Sequence, residues 1–202
     1  MIKVLKNPLT SNYVDLKNTV LSHSFPWRYR TSTHPDSSQN EGHVHMKYYG
    51  YTFLSRPEDG GYSESTSNIL KANIKVLREI LSANDFFEYY FFLRSSANCT
   101  HAEEGIQLSA PHLDHNFPHY NMLVYLNNSG WETFVEDEVF SPKEDDVILF
   151  TGKHYMKRPK EGRRIILVAT ILPYGKKGLD SLEIPVLGIP HFPWLNASFL
   201  LD

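Results

Sequence analysis

Apolar positions in this chain follow two different periods. Between residues 67 and 83, Leu70, Ile74, Leu77 and Leu81 recur at steps of four, three and four, the spacing that lines one face of an α-helix. Ser67 stands where a side-chain oxygen can cap the first free N–H groups. A second, weaker helical pattern covers residues 13–21. Residues 43–54 (HVHMKYYGYTFL) and 86–94 are instead rich in aromatic side chains, which suit pleated strands better than helices. Short β-rich runs follow at 120–126, 132–140, 147–151 and 164–172, separated by Asn-Asn-Ser-Gly, Ser-Pro-Lys-Glu-Asp-Asp and Lys-Glu-Gly. Strands at this spacing predict a sandwich or jelly-roll barrel. With helices toward the front and strands toward the back, the fold class is mainly β with flanking helices (α+β).

Composition narrows the picture without changing it. The 202 residues contain no internal repeat, and the polar stretch 31–42 reads as a loop within a domain, so a single domain spanning 1–202 is expected. Twenty Lys and Arg against twenty-three Asp and Glu give a net charge of -3, which disfavours nucleic acid as a partner and gives no field for a membrane surface. No apolar run is long enough to span a bilayer, and the first residues lack the apolar core of a signal peptide. A cytoplasmic location is therefore expected, with the Asn-x-Ser/Thr triplets at Asn98, Asn127 and Asn196 incidental. Cys99 is the one cysteine beside ten histidines, so disulfides and thiolate-rich metal sites are excluded. Any metal must be held by nitrogen and oxygen.

The densest set of such ligands is Pro111-His-Leu-Asp-His-Asn-Phe-Pro-His119. His112 and Asp114 lie two apart, so on an extended segment both side chains leave the same face, while His115 points away. His154, after the run Asp146-Val-Ile-Leu-Phe-Thr-Gly, is the candidate third ligand. Two imidazoles and a carboxylate on a β scaffold suit non-haem Fe(II) and leave open positions. A bidentate 2-oxo acid and O2 would fill those positions, and the far carboxylate of the acid would need a cation. Arg164 opens the apolar strand Ile165-Ile-Leu-Val-Ala-Thr-Ile, where a guanidinium is costly without an anion and pairs well with a carboxylate. Arg163 is its rival, since only one of two adjacent strand residues faces inward; Arg164 is preferred on its spacing from His154.

The set His112-x-Asp114 … His154 … Arg164 resembles the Fe(II)/2-oxoglutarate-dependent dioxygenase superfamily, and most of all its prolyl-4-hydroxylase-like branch. Tyr125-Leu-Asn127 followed by Gly130-Trp-Glu-Thr133-Phe is similar to a stretch found after the first two ligands in that branch. Phe-Pro-Trp at 25–27 and Arg94-Ser-Ser-Ala-Asn98 resemble small phage and bacterial members. The resemblance covers roughly residues 86–172. It implies a double-stranded β-helix with His112, Asp114 and His154 on Fe(II) and Arg164 on 2-oxoglutarate. The implied reaction consumes O2, releases succinate and CO2 and hydroxylates a C–H bond, with ascorbate as reductant. Trp131 stands where the branch has a second glycine, and Ile166 where many members have a hydroxyl. The retained Asp114 argues against halogenating variants.

Other residues are secondary candidates. Asn98 and Tyr125 could reach the co-substrate, as could Tyr120, and Arg94 could contact substrate. His115 and His119 are expected beside the ligands or at the surface, and His43 and His45 as strand residues. Cys99 lacks the setting of a nucleophile. Residues 153–164 hold six basic groups and one acidic, and 132–146 seven acidic and one basic; both read as solvated hairpin faces, the first next to His154 at the border of the site. The substrate is expected to be a peptide side chain, a free amino acid or another small molecule. The rival reading is a cupin-like jelly-roll metal protein without 2-oxoglutarate chemistry.

Overall fold

The structure is a computed structural model that describes residues 1–31, 43–44, 46–60, 67–85, 89–105, 108–128 and 130–174. The expectations for residues 32–42, His45 and Asn196 lie outside these residues. Two helices, α1 (Ser11–Leu21) and α2 (Ser67–Ser82), cover one face of a seven-stranded sheet. That sheet runs β1 (Lys3–Leu5), β10 (Val147–Phe150), β7 (Tyr120–Tyr125), β12 (Arg163–Tyr174), β5 (Tyr89–His101), β4 (Tyr48–Leu54) and β2 (Arg28–Arg30). A three-stranded sheet of β11 (His154–Met156), β8 (Thr133–Val135) and β9 (Glu138–Phe140) lies beside it, and β3 (His43–Val44) pairs with β6 (Leu108–Ser109) in parallel. This is the mainly β jelly-roll class that the pattern predicts.

Strand parity divides the core in two. Ala97 and Cys99 of β5, Met122 and Val124 of β7, and Leu167 and Ala169 of β12 pack on the helix side. Leu123, Tyr125, Ile148, Phe150, Ile166 and Val168 occupy the opposite face, over the small sheet. Because successive side chains alternate between faces, Arg164 on β12 shares the second face with Ile166 and Val168, and Arg163 does not. All residues of β7 and β10 are buried, the expected state of strands covered on both sides, and their sequences accordingly read as apolar runs, broken only by Asn121 in β7.

Both helices form where the periodicity places them, with local differences. Thr10 caps α1, accepting from the Tyr13 N–H at 3.2 Å, and Tyr13, Leu16 and Val20 face the core. The buried stripe of α2 is rotated from the expected one: Asn73, Val76, Leu77, Ile80 and Leu81 are buried while Leu70 and Ile74 are only half-buried. Asn73 hides this register because it is polar, yet its Oδ1 accepts from Ser95 Oγ at 2.6 Å. The run 132–140 divides into β8 and β9 at a turn where Glu136 adopts φ 48°.

Candidate functional site

His112 and His154 are brought together by backbone pairing. Each donates its N–H to the other's carbonyl, at 3.1 and 3.0 Å, so the two residues form a hydrogen-bonded antiparallel pair whose side chains leave on one face. Their rings lie 4.4 Å apart between centroids. Asp114, two residues on, shares that face. One donor atom from each of His112, Asp114 and His154 lies within 4.8 Å of the others. Metal–ligand lengths of roughly 2.0–2.2 Å place neighbouring ligand atoms about 3–3.5 Å apart around one ion, so side-chain rotations that close the widest separation by about 1–2 Å complete the set. Asp114 and His154 are buried and His112 is half-buried.

The orientation of each candidate ligand is fixed from behind. His112 Nδ1 lies 3.0 Å from the Ala110 carbonyl; with Nδ1–H donating to that carbonyl, Nε2 is left with its lone pair for a metal, a support common to metal-binding histidines. Asp114 Oδ1 accepts from Arg94 Nη1 at 2.6 Å and Arg56 Nη2 at 2.9 Å, while Oδ2 stands 3.6 Å from His154 Nε2. The two guanidiniums thus orient the carboxylate.

Arg164 forms the floor of the same cleft, with 3% of its surface exposed. Its Nη2 donates to Thr133 Oγ1 at 3.1 Å, its Nη1 lies 3.1 Å from Met156 Sδ, and its guanidinium stacks over Tyr125 at 5.2 Å. Its Nε is buried without a hydrogen-bond partner, and no carboxylate among the described residues pairs with it. Burial pulls its pKa below the ordinary guanidinium value, with Tyr125 opposing. A buried cation without a counter-ion is expensive. A carboxylate entering the cleft would remove that cost.

Asn98 also lines the cleft, its carboxamide without a protein partner among the described residues, as do Tyr48, Thr100 and Ser109. Leu123, Ile166 and Val168 form an apolar wall. Tyr125 does not line it: fully buried below Arg164, it exchanges a 2.7 Å hydrogen bond with Thr133, and burial raises its pKa. Its place is to hold Thr133 and Arg164. Tyr120 is buried in the helix-side core.

His115 turns away from the cleft, as the spacing predicts, and neither it nor His119 lines the cleft or lies at the surface: both are buried. His115 lies between Glu58 and Thr170, at 3.1 and 2.8 Å. Burial lowers its pKa to about 4 against the pull of Glu58, so at neutral pH Nδ1–H donates to Glu58 and Nε2 accepts from the Thr170 hydroxyl. Burial likewise lowers the His119 pKa. It raises that of Cys99 to about 11, which leaves a thiol rather than a nucleophilic thiolate. The basic hairpin is largely engaged with its neighbours: Lys157 meets Glu132, Arg158 meets Glu103, and Lys160 covers Trp131. Sequence reasoning missed Arg56, whose contact with Asp114 joins positions 58 residues apart. No local spacing signals such a contact.

Gly152 sets the approach to His154. Its φ is +100°, and a Cβ there would meet Glu136 Oε1 at 2.5 Å, an oxygen that accepts from the Lys153 N–H. Gly152→Ala should therefore cost about 1–3 kcal/mol, lowering the melting temperature by roughly 2–4 °C per kcal/mol and weakening metal binding at His154. Calorimetry and metal titration check this; wild-type values for both would show that the turn is not constrained.

No protein-family model matches this chain, and no curated protein matches it in sequence. Solved structures do match it. A prolyl hydroxylase from Trichoplax adhaerens, in complex with a peptide fragment of a hypoxia inducible factor oxygen degradation domain, aligns with a TM-score of 0.55 over 90% of this chain and 87% of its own, at 14% identity. An oxidoreductase of the 2OG-Fe(II) oxygenase family from Burkholderia pseudomallei aligns with a TM-score of 0.53 over 82% of this chain and 80% of its own, at 13% identity. The chain has the fold of the 2OG-Fe(II) oxygenases, and of the prolyl hydroxylases among them. Among the described residues, no helix is long and apolar enough to cross a membrane.

Proposed function

We propose that this protein is an Fe(II)- and 2-oxoglutarate-dependent dioxygenase that hydroxylates a C–H bond of a small-molecule or peptide substrate. The observation that carries the reading is Arg164, a buried guanidinium that pairs with no carboxylate among the described residues, in the cleft that His112, Asp114 and His154 share. Metal ligands alone would suit a cupin-like protein. A cation awaiting an anion beside them suits a dicarboxylic co-substrate.

His112, Asp114 and His154 hold Fe(II), Arg164 binds the distal carboxylate of 2-oxoglutarate, and Thr133, held by Tyr125, offers a hydroxyl beside it. Leu123, Ile166 and Val168 exclude water from the co-substrate's chain, strengthening the ionic contact at Arg164. When bound, the metal supplies reduction of O2 coupled to oxidative decarboxylation. The balance is R–H + 2-oxoglutarate + O2 → R–OH + succinate + CO2: one oxygen atom enters succinate and the other the product.

Anaerobic calorimetry of Fe(II)-loaded protein should show saturable 2-oxoglutarate binding, and admitting air with ascorbate should yield succinate. Metal binding without 2-oxoglutarate binding would favour the cupin-like reading. Absence of both would leave the fold without this chemistry.

A further inference from the structure

The oxygenase reading leaves one charged group in the cleft without an assigned ligand. Arg94 lies on β5, on the face that also carries Asn98 and Thr100 toward the cleft. Its side chain is only 16% exposed. Nη1 donates to Asp114 Oδ1 at 2.6 Å, and Nε and Nη2 have no protein acceptor among the described residues. A guanidinium has five N–H donors and binds a carboxylate best through two of them at once. Arg94 therefore holds a metal-ligand candidate with one arm and keeps a fork for something else.

That fork borders a second cavity. Arg94 and Tyr48 line both the metal cleft and an adjoining hollow between β2, β4 and the turn at Pro57–Asp59. The hollow also presents Arg30, Arg56, the Thr52 hydroxyl and Asp59. Asp114, between the two cavities, already holds Arg56 and Arg94, so what the half-enclosed hollow offers an anion is the remaining N–H groups of Arg94, where charge is poorly screened.

We infer that Arg94 anchors an anionic group of the substrate, and that the substrate is a small carboxylic acid, such as a free amino acid, rather than an internal residue of a peptide. The argument rests on the oxygenase reading. It adds distance: a group on Arg94 lies one side chain from Asp114, so the charge sits only a few bonds from the C–H to be hydroxylated. A free amino acid carries an α-carboxylate at that range, and a residue within a peptide backbone has lost it to the amide bond. Asn98, on the same strand face, offers an amide to a second polar group of such a substrate.

The test uses protein loaded with Zn(II), which does not turn over, and saturated with 2-oxoglutarate. Calorimetric titration compares the common free amino acids and short carboxylic acids with their primary amides, with glycerol phosphate and with peptides blocked at both ends. At least one free acid should bind about tenfold or more tighter than its amide, the range of a charge-assisted hydrogen-bonded pair. Arg94→Met should erase that ratio and Arg94→Lys retain part of it. Three results would overturn the inference: equal binding of acids and amides, tighter binding of phosphate or blocked peptides than of every acid, or a ratio that survives in Arg94→Met. The wild-type ratio decides the matter even if the variants fold poorly. A protein that takes no 2-oxoglutarate at the first step would instead defeat the oxygenase reading.

Discussion

Fe(II) affinity of the His112→Ala protein falls by more than about 100-fold, while its melting temperature moves by only a few degrees. Loss of a partner behind a metal ligand costs about 10–100-fold in affinity, and removing the ligand itself exceeds that range. Stability should hardly respond, because the pairing with His154 uses the N–H and C=O of residue 112, which alanine keeps. The imidazole's hydrogen bond to the Ala110 carbonyl is worth about 1 kcal/mol. Anaerobic Fe(II) titration and calorimetry read the two effects separately. Asp114 would not give so clean a result, since its removal leaves Arg56 and Arg94 facing each other without their shared anion. Wild-type affinity in His112→Ala would remove that residue from the ligand set.

Arg164→Met should weaken 2-oxoglutarate binding by about 100-fold or more without lowering the stability of the ligand-free protein. Truncating one partner of a desolvated charged pair costs about 2–5 kcal/mol, and methionine keeps the length and bulk of the side chain while removing its charge. Without ligand, the charge is buried beside a hydroxyl, a thioether and an aromatic ring, none of which neutralises it. Replacing a buried ionic group by an apolar one of similar volume is often neutral or stabilising. The variant's melting temperature should then match or exceed that of the wild type. A drop in melting temperature with unchanged 2-oxoglutarate affinity would instead make Arg164 a structural residue.

The large elements of this fold are legible in the sequence because each carries its own signal. α2 has its stripe, and β7, β10 and β12 have apolar runs that burial on both faces demands. β1, β2, β6 and β11 are only two or three residues long, too short for any period to register. They exist because a longer strand or a facing segment offers them hydrogen bonds. The candidate site divides in the same way. His112 and Asp114 are legible because a two-residue step on extended chain fixes a shared face, and Arg164 because an arginine at the head of an apolar strand needs a reason. Arg56 and Tyr125 are not, because their roles depend on which side chain lies opposite after folding. Tyr125 in particular has the composition of a ligand-binding tyrosine and the position of a supporting one.

The reciprocal hydrogen bonds between His112 and His154 have a thermodynamic consequence. A metal site assembled from two distant stretches of chain ordinarily charges the ion with the entropy of bringing them together. Here the ladder that joins β11 to the segment carrying His112 closes that loop during folding, and the imidazoles arrive side by side before any metal does. Ion binding then has only side-chain rotations left to restrict. The affinity of the site should therefore reflect the chemistry of its three donors more than the disorder of its chain.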